Sequence, residues 1–198
     1  MRTLIVTNIV SLDGFYAGPG ENPMVLPMDN RFDAYNTERM KAADTVLLGA
    51  RSYSMFKGFW PPLADDPASS PAHREFSRLY NAIDKVAVSD SLTTDDTDPW
   101  RSTTRILRRA EAHDAIAELK RGPGRDIVMF GSHVLWNDLL AAGLVDELHF
   151  IVGPVVVGDG TRAFATPPTR PLRLLGTRTW EDSDNVLVRY AASAGGRT

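Results

Sequence analysis

One segment of this chain, Asp126 to Phe164, constrains the fold more than any other. It begins with a short apolar run of the buried-strand type, and Gly131 and Ser132 follow that run directly. Ser132 is placed to cap a helix with apolar residues at helical spacing, which Gly143 ends before a second strand pattern begins. Free backbone N–H groups at such a helix start bind phosphate, and glycine leaves room for the ligand. The segment therefore predicts half of a nucleotide-binding site, with an ordinary strand-to-helix turn as the alternative.

Chain length and the rare residue types narrow the possible chemistry. A chain of 198 residues suits one α/β domain, and we expect residues 1–192 to form it, followed by a disordered tail at 193–198. There is no cysteine, and the four histidines are far apart in sequence. We therefore expect no disulfide, no thiolate nucleophile and no bound metal.

Charge and hydropathy indicate a small-molecule substrate rather than a nucleic acid or a membrane. A formal net charge of −3 and an isoelectric point near 5.8 give no general attraction to either polyanion. The apolar run Leu4 to Val6 is interrupted at Asn8 before a signal sequence can form. No stretch approaches the roughly 20 apolar residues of a membrane span. We therefore expect a cytoplasmic protein.

Outside the opening segment, strand and helix patterns alternate up to Phe150, and strand patterns alone follow. The predicted strands are Leu4 to Val10, Thr45 to Leu48, Lys85 to Ser89, Arg105 to Arg108, Leu148 to Val152, Val155 to Val157, Leu172 to Thr179 and Val186 to Tyr190. The predicted helices are about Asn30 to Ala43, a short piece within Gly49 to Phe56 before a proline-rich loop, a helix opened by Ser70 and Pro71, and Ala112 to Lys120. The consecutive strands at the end predict antiparallel hairpins.

Four sequence blocks occur in an order that is similar to a known family. They are SLDGFYAG (Ser11 to Gly18), LLGARSY (Leu47 to Tyr53), KVAVSDSL (Lys85 to Leu92) and the region from Phe130 to Phe164 with FGS, GLVDEL and GPVVVGDG. With them, the chain resembles the dihydrofolate reductase-like family, and more closely the branch related to the reductase domain of the riboflavin-biosynthesis deaminase/reductase. The resemblance implies an α/β three-layer fold, with a central mostly parallel sheet, antiparallel C-terminal strands and helices on both faces. It also implies a homodimer.

The resemblance implies NADPH laid across the strand ends. The candidate cofactor-binding residues, which follow the ends of strands, are Gly49, Arg51, Ser52, Ser89, Gly131, Ser132, His133 and Val134. Gly49 ends a strand, so Arg51 and Ser52 bring a guanidinium and a hydroxyl to a helix start, where phosphate binds well. Ala50 stands where family members often carry arginine, and Asp90 would repel a 2′-phosphate. Arg51 and His133 still supply positive charge, so NADPH is the first choice of cofactor and NADH the second.

The same resemblance implies a small heterocyclic substrate of the pteridine or aminouracil type. Asp13 and Asp33 are the candidate catalytic carboxylates, since reduction of a C=N or C=O group needs a proton source. Phe56 and Ile151 depart from the patterns of the two named activities. Aromatic candidates for a substrate wall, or for ordinary core positions, are Phe15, Tyr16, Phe56, Phe59 and Trp60. The sequence thus predicts an NAD(P)H-dependent reductase, with a non-catalytic dinucleotide-binding or interaction protein on the same fold as the alternative.

Overall fold

Ten strands and five α-helices build the part of the chain that the computed structural model describes, residues 1–168 and 170–192. The strands are β1 (Leu4–Ser11), β2 (Phe15–Ala17), β3 (Ala43–Gly49), β4 (Asp84–Val88), β5 (Thr104–Leu107), β6 (Asp126–Phe130), β7 (Glu147–Gly153), β8 (Thr161–Arg162), β9 (Arg173–Trp180) and β10 (Ser183–Ala191). The helices are α1 (Asn30–Ala42), α2 (Ala50–Leu63), α3 (Pro71–Ala82), α4 (Arg109–Arg121) and α5 (His133–Ala141). The tail predicted at 193–198 lies outside the described residues.

Eight of the strands form one sheet, in the order β5-β4-β3-β6-β1-β7-β10-β9. All neighbours from β5 to β7 are parallel, whereas β10 runs antiparallel to both β7 and β9. The predicted mostly parallel sheet with antiparallel C-terminal strands is therefore confirmed. Because the six parallel strands point the same way, the loops that follow them lie along one edge of the sheet. Strands β2 and β8 pair with each other in a separate small sheet.

Helices cover both faces of the sheet. Met40, Phe76 and Tyr80 bring α1 and α3 onto one face, in an apolar cluster that also includes part of α2. Ile116 of α4 and Trp136 of α5 belong to the cluster on the opposite face. Each of these five side chains is at most 7% exposed, and burial of a large apolar side chain contributes about 1.5–3 kcal/mol. Two apolar layers thus hold the sheet between them.

Two helices begin at capping residues. The Asp29 carboxylate accepts hydrogen bonds from the backbone N–H groups of Arg31 and Phe32, at 3.0 and 2.9 Å. The Ser70 hydroxyl accepts one from the His73 N–H at 3.1 Å. Such side chains satisfy N–H groups that have no partner within the helix. They fix the first turns of α1 and α3, as the sequence predicted for Ser70.

Helix α2 is longer than the sequence predicted. The prediction ended the helical piece near Phe56, whereas α2 continues to Leu63 through two prolines. The Trp60 ring stacks on Tyr80 of α3 with 6.2 Å between ring centroids, and the Ser77 hydroxyl donates to the Trp60 carbonyl at 2.6 Å. These contacts between helices stabilise a helix end that proline disfavours.

The predicted strand Val155 to Val157 is wrong. This segment is a loop in the described chain. The Leu12 N–H donates to the Val155 carbonyl at 2.8 Å, and the Val157 N–H donates to the Asp13 carboxylate at 3.0 Å. The backbone of this segment thus forms its hydrogen bonds with a turn and a side chain, and within the described residues no adjacent strand pairs with it.

Candidate cofactor and substrate site

Neighbouring strands place the predicted cofactor residues along one edge of the sheet. Gly49, the last residue of β3, is in register with Val88, the last residue of β4. Helix α2 begins directly after Gly49, and α5 begins after the turn Gly131–Ser132 that follows β6. Because β3 and β6 are adjacent, the amino-terminal ends of α2 and α5 lie side by side. This is the edge where open α/β sheets bind their ligands.

Two serines join these helix starts. The Ser132 N–H donates to the Ser52 hydroxyl at 2.8 Å, and the Gly49 N–H donates to the Ser132 hydroxyl at 3.1 Å. Asn8 of β1 accepts from the Gly131 N–H at 2.9 Å. These five residues form one hydrogen-bonded unit, the serine junction. Asn8 was not predicted to belong to it, although a polar side chain within an apolar strand is the signal that the sequence carries.

Ser132 stands at the start of α5 in a way that the sequence did not predict. Its backbone is left-handed, with φ 55° and ψ 39°, and its hydroxyl donates to the Phe130 carbonyl at 3.2 Å. The predicted side-chain cap is therefore wrong, because the hydroxyl forms its hydrogen bonds with backbone groups of β3 and β6 instead of the first turn of α5. Gly49 has no side chain with which to cap α2. Within the described residues, both helix starts thus keep backbone N–H groups without a side-chain cap, an arrangement that favours anions.

An aromatic wall lies above the Gly131 turn. Gly131 has φ 59°, and a Cβ atom there would lie 3.1 Å from the Ser52 hydroxyl and 3.4 Å from the Tyr16 hydroxyl. The ring of Phe56 would be 3.5 Å away, and the Tyr16 and His133 ring centroids are 4.8 Å apart. Burial raises the pKa of Tyr16 to about 12, so its phenol is neutral at physiological pH. Tyr16 and Phe56 offer ring faces and edges to a flat ligand.

Three further predicted residues surround the serine junction. Arg51 is 78% exposed and forms an ion pair with Glu21, which lies in the loop after β2. His133 bonds through Nε2 to the carbonyl of Arg162 at 2.8 Å, so its ring fastens β8 to the start of α5. Val134 is also 78% exposed and carries no polar side-chain atom. Of the three, Arg51 offers a charge to a ligand, and Glu21 competes for that charge.

The hydroxyl of Ser89, another predicted cofactor residue, points into its own turn. The side chain accepts hydrogen bonds from the N–H groups of Ser91 and Leu92, at 3.1 and 2.9 Å, and the residue is 1% exposed. Ser89 therefore shapes the loop after β4. The next residue, Asp90, presents a side chain that is 61% exposed at the same strand end.

Asp13, a predicted catalytic carboxylate, holds a loop. It accepts hydrogen bonds from the Ser11 hydroxyl at 2.6 Å and from the N–H groups of Val157 and Gly158, at 3.0 and 2.8 Å. The Ser11 bond, followed by the backbone bonds, lowers the pKa of Asp13 to about 2. Asp13 is thus ionised at neutral pH and has no proton to donate. This geometry gives its predicted role as an acid no support.

Asp33, the second predicted carboxylate, lies between two helices. It stands in the first turn of α1, and its carboxylate bonds to His73 Nε2 of α3 at 3.1 Å. Burial raises the pKa of Asp33, although the hydrogen bond to His73 opposes that effect. A partly buried carboxyl with a raised pKa is the more suitable of the two for proton transfer. Sequence reasoning missed His73, because nothing in the sequence pairs positions forty residues apart.

The described ranges, 1–168 and 170–192, contain neither a cluster of metal-binding side chains nor a helix that could span a membrane. They contain no group of three or more histidine, cysteine, aspartate or glutamate side chains that is able to hold a metal ion. None of their helices is both long and apolar enough to cross a membrane.

The chain matches a protein-family model over nearly its whole length. The model of the RibD C-terminal domain matches residues 2–188. An uncharacterised protein of Bacillus subtilis (strain 168), YyaP, is 29% identical over 190 residues, which cover 96% of this chain and 95% of that protein.

Solved structures with similar folds include reductases. A putative riboflavin biosynthesis protein from Shewanella sp. PV-4 has a TM-score of 0.69 at 18% identity, with 96% of this chain and 98% of that chain covered. A dihydrofolate reductase from Enterococcus faecalis, complexed with NADP(H) and RAB-propyl, has a TM-score of 0.56 at 16% identity over 96% and 95% of the two chains. The Thermotoga maritima diaminohydroxyphosphoribosylaminopyrimidine deaminase/5-amino-6-(5-phosphoribosylamino)uracil reductase has a TM-score of 0.64 at 11% identity, and the matched region spans 96% of this chain but 56% of that one. The predicted dihydrofolate reductase-like fold is thus confirmed.

Proposed function

Since the chain belongs to the RibD C-terminal domain family, we propose that it is a reductase that transfers hydride from NAD(P)H to a small heterocyclic substrate. The observation that carries the proposal is the serine junction, which holds two uncapped helix starts side by side at the carboxyl edge of the sheet. Two helix dipoles and their free N–H groups at one point suit a diphosphate. This is the group that a dinucleotide carries at its centre.

NADPH is the first candidate for the cofactor and NADH the second. The Enterococcus faecalis neighbour, which shares the fold, was solved with NADP(H). In this chain the backbone at the starts of α2 and α5 would hold the diphosphate, and Arg51 would add charge to it. The absence of a side chain at Gly131 lets the turn after β6 take its positive φ and pack against Ser52 and Tyr16, and the diphosphate would lie against this turn. The reduced nicotinamide would supply the hydride.

Tyr16 and Phe56, the aromatic wall, would bind and orient the substrate. Their rings, which meet at the Gly131 turn, would stack on the substrate and exclude water from its reacting face. Asp33, paired with His73, is the carboxyl that we propose as the source of the proton. A substrate of the pteridine or aminouracil type suits this wall because it is flat and because it carries nitrogen atoms that accept protons. We also propose a homodimer, on the family resemblance, and a cytoplasmic location, which a sequence without cysteine favours.

Two measurements on the purified chain test this function. Equilibrium titration with NADPH, followed by its fluorescence, should give saturable binding. Incubation with NADPH and a dihydropteridine or aminouracil panel should give steady loss of the reduced nicotinamide absorbance. Saturable binding without oxidation of NADPH by any substrate would favour a dinucleotide-binding protein over an enzyme. A chain that binds neither NADPH nor NADH is not a nicotinamide-dependent reductase.

A further inference from the structure

Three adjacent strand ends carry charges of alternating sign. Gly49 of β3 is in register with Val88 of β4, and Val88 is in register with Leu107 of β5. The residues two positions beyond these strand ends are Arg51, Asp90 and Arg109. The edge of the sheet therefore reads cation, anion, cation, starting from the strand next to the serine junction and moving outwards.

Asp90 is positioned by the start of α4. One of its carboxylate oxygens accepts a hydrogen bond from the Arg109 N–H at 2.9 Å, and the other lies 3.7 Å from Arg109 Nε. The side chain is nevertheless 61% exposed. Neighbouring Arg108 donates to the carbonyl oxygens of Ser89 and Leu92, at 2.9 and 3.0 Å. Asp90 is thus a hydrogen-bond acceptor with a fixed position that still faces solvent. The Arg108 guanidinium is already bound to two backbone carbonyl groups.

A dinucleotide at the serine junction has one direction in which to extend its adenosine half. Its nicotinamide must meet the substrate, and the aromatic wall of Tyr16 and Phe56 lies over Gly131. The other half then passes from β3 towards β4, on the side of β3 away from β6. The first exposed acidic side chain after the end of β4 is Asp90.

We propose that Asp90 is a specificity-determining residue, which favours NADH by accepting a hydrogen bond from the adenosine ribose 2′-hydroxyl and weakens NADPH by repelling its 2′-phosphate. This rests on the proposed function. A hydroxyl donates to a carboxylate, whereas a phosphate monoester brings between one and two further negative charges to it. Carboxylates after strand ends select the unphosphorylated ribose in other dinucleotide folds by this chemistry. Asp90 thus reduces whatever advantage NADPH has from other contacts.

Arg109 does not reverse this preference. Its guanidinium is 74% exposed and lies 3.7 Å from the Asp90 carboxylate, so this solvent-screened pair neutralises the Asp90 charge only in part. A 2′-phosphate at this place would have to share Arg109 with the carboxylate. The Asp90 charge therefore acts against NADPH as long as both residues are present.

The test compares the affinities of NADPH and NADH for wild type and Asp90→Asn, by equilibrium fluorescence titration at one fixed ionic strength. Asparagine keeps an oxygen for the Arg109 N–H, so the start of α4 is preserved. We expect NADPH to bind about five- to tenfold more tightly to the variant, and NADH about two- to threefold more weakly. Asp114→Asn, which removes the same charge from an exposed position on α4, should leave both affinities unchanged.

A second variant separates repulsion from direct binding by Arg109. Arg109→Ala should weaken NADPH more than NADH, because it leaves Asp90 uncompensated, and adding Asp90→Asn should remove most of that difference. An unchanged NADPH-to-NADH affinity ratio in Asp90→Asn, with circular dichroism like that of wild type, overturns the role of Asp90 while the proposed reductase stands. Failure of wild type and variants to bind either dinucleotide overturns the proposed function, and this inference with it.

Discussion

Two single residues, Arg51 and Gly131, add to what the serine junction offers a dinucleotide. Arg51 presents a fork of donors at the start of α2, but Glu21 already occupies it. Exposed ion pairs of this kind are weak, so a diphosphate is able to displace the carboxylate. Gly131 contributes by having no side chain, at a backbone φ of 59° that other residues rarely adopt. One residue supplies charge and the other supplies space.

Replacing Arg51 with alanine should weaken NADPH and NADH together, by about tenfold, because charge-assisted hydrogen bonds to the shared diphosphate are lost. Glu21→Gln should do the opposite and tighten both about two- to threefold, because Arg51 is then free. Fluorescence titration of both cofactors measures these changes. Arg121→Ala, at an exposed arginine in the last turn of α4, is the matched control. A loss confined to NADPH would place Arg51 on the 2′-phosphate instead.

Gly131→Ala should damage cofactor binding more than it damages folding. Its methyl group would lie 3.1 Å from the Ser52 hydroxyl and would displace that side chain from the serine junction on which the diphosphate would bind. The control is Gly143→Ala, because Gly143 also has a positive φ, 71°, and a Cβ atom there meets nothing within 4 Å. Both variants should lose about 1–2 kcal/mol of unfolding free energy from backbone strain, and the contact with Ser52 should add to the loss in Gly131→Ala. Gly131→Ala alone should also lose tenfold or more in NADPH affinity, and equal affinities for the two variants would make the turn merely structural.

At the scale of secondary structure, local sequence patterns predicted the helices and strands that carry a clear apolar periodicity. The parallel strands, α1 and α3 and the antiparallel end of the sheet have clear apolar spacing and capping residues. The loop at Val155 to Val157 and the long α2 were missed, because side chains and helices distant in sequence decide their backbone partners. In the site, the turns after β3 and β6 were expected together, whereas the contacts Asn8–Gly131 and Asp33–His73 were not. Such contacts depend on the folded topology and leave no spacing in the sequence.

Lys85 is an ionisable side chain that the fold buries near the start of β4. The side chain is 0% exposed where α3 leads into β4, and Nζ donates to the Ile83 carbonyl at 2.7 Å and to the Thr103 hydroxyl at 3.1 Å. It also lies 4.6 Å from the centroid of the Trp100 ring. Burial lowers the pKa of Lys85 to about 7, whereas an unfolded lysine titrates near 10.4. The folded chain therefore binds fewer protons than the unfolded chain between these two values.

Unfolding free energy should consequently rise with pH across this window. Between the folded and the unfolded pKa, Lys85 must lose its proton when the chain folds, and this cost decreases as the pH rises. Raising the pH from 6 to 9 should therefore stabilise the fold by on the order of 2 kcal/mol. Urea unfolding at several pH values measures the slope. Lys85→Met should flatten it, while Lys41→Met, at a lysine that is 53% exposed, should leave it as in wild type. The same slope in Lys85→Met would assign the pH dependence to other groups.

At the scale of the whole molecule, a buried series of hydrogen-bonded side chains connects α1 to β7 of the sheet. The Tyr35 hydroxyl lies 2.8 Å from His149 Nδ1, and His149 Nε2 lies 2.8 Å from the Glu147 carboxylate. Burial raises the pKa of Tyr35 to about 12, so the phenol keeps its proton and donates it to Nδ1. His149 is thus neutral, with its own proton on Nε2 towards Glu147. The network joins α1 to β7, the strand between the parallel and antiparallel parts of the sheet.

His149 should make the global stability sensitive to mild acid. Burial is the main cause that lowers the pKa of His149, so the unfolded chain binds a proton near pH 6.5 that the folded chain does not. The contribution of neutral His149 to the unfolding free energy is complete above pH 6.5. It decreases as the pH falls below that value towards the lower pKa of the folded state. Ordinary carboxylates titrate near pH 4, so the histidine dominates the change in stability between pH 6.5 and 5. His149→Gln keeps an acceptor for Tyr35 and a donor for Glu147, and it should unfold in urea with a midpoint that hardly changes across this window. His113→Gln, at an exposed histidine paired with Asp138, should keep the wild-type acid sensitivity, and the opposite pattern would place the acid-sensitive group on the surface.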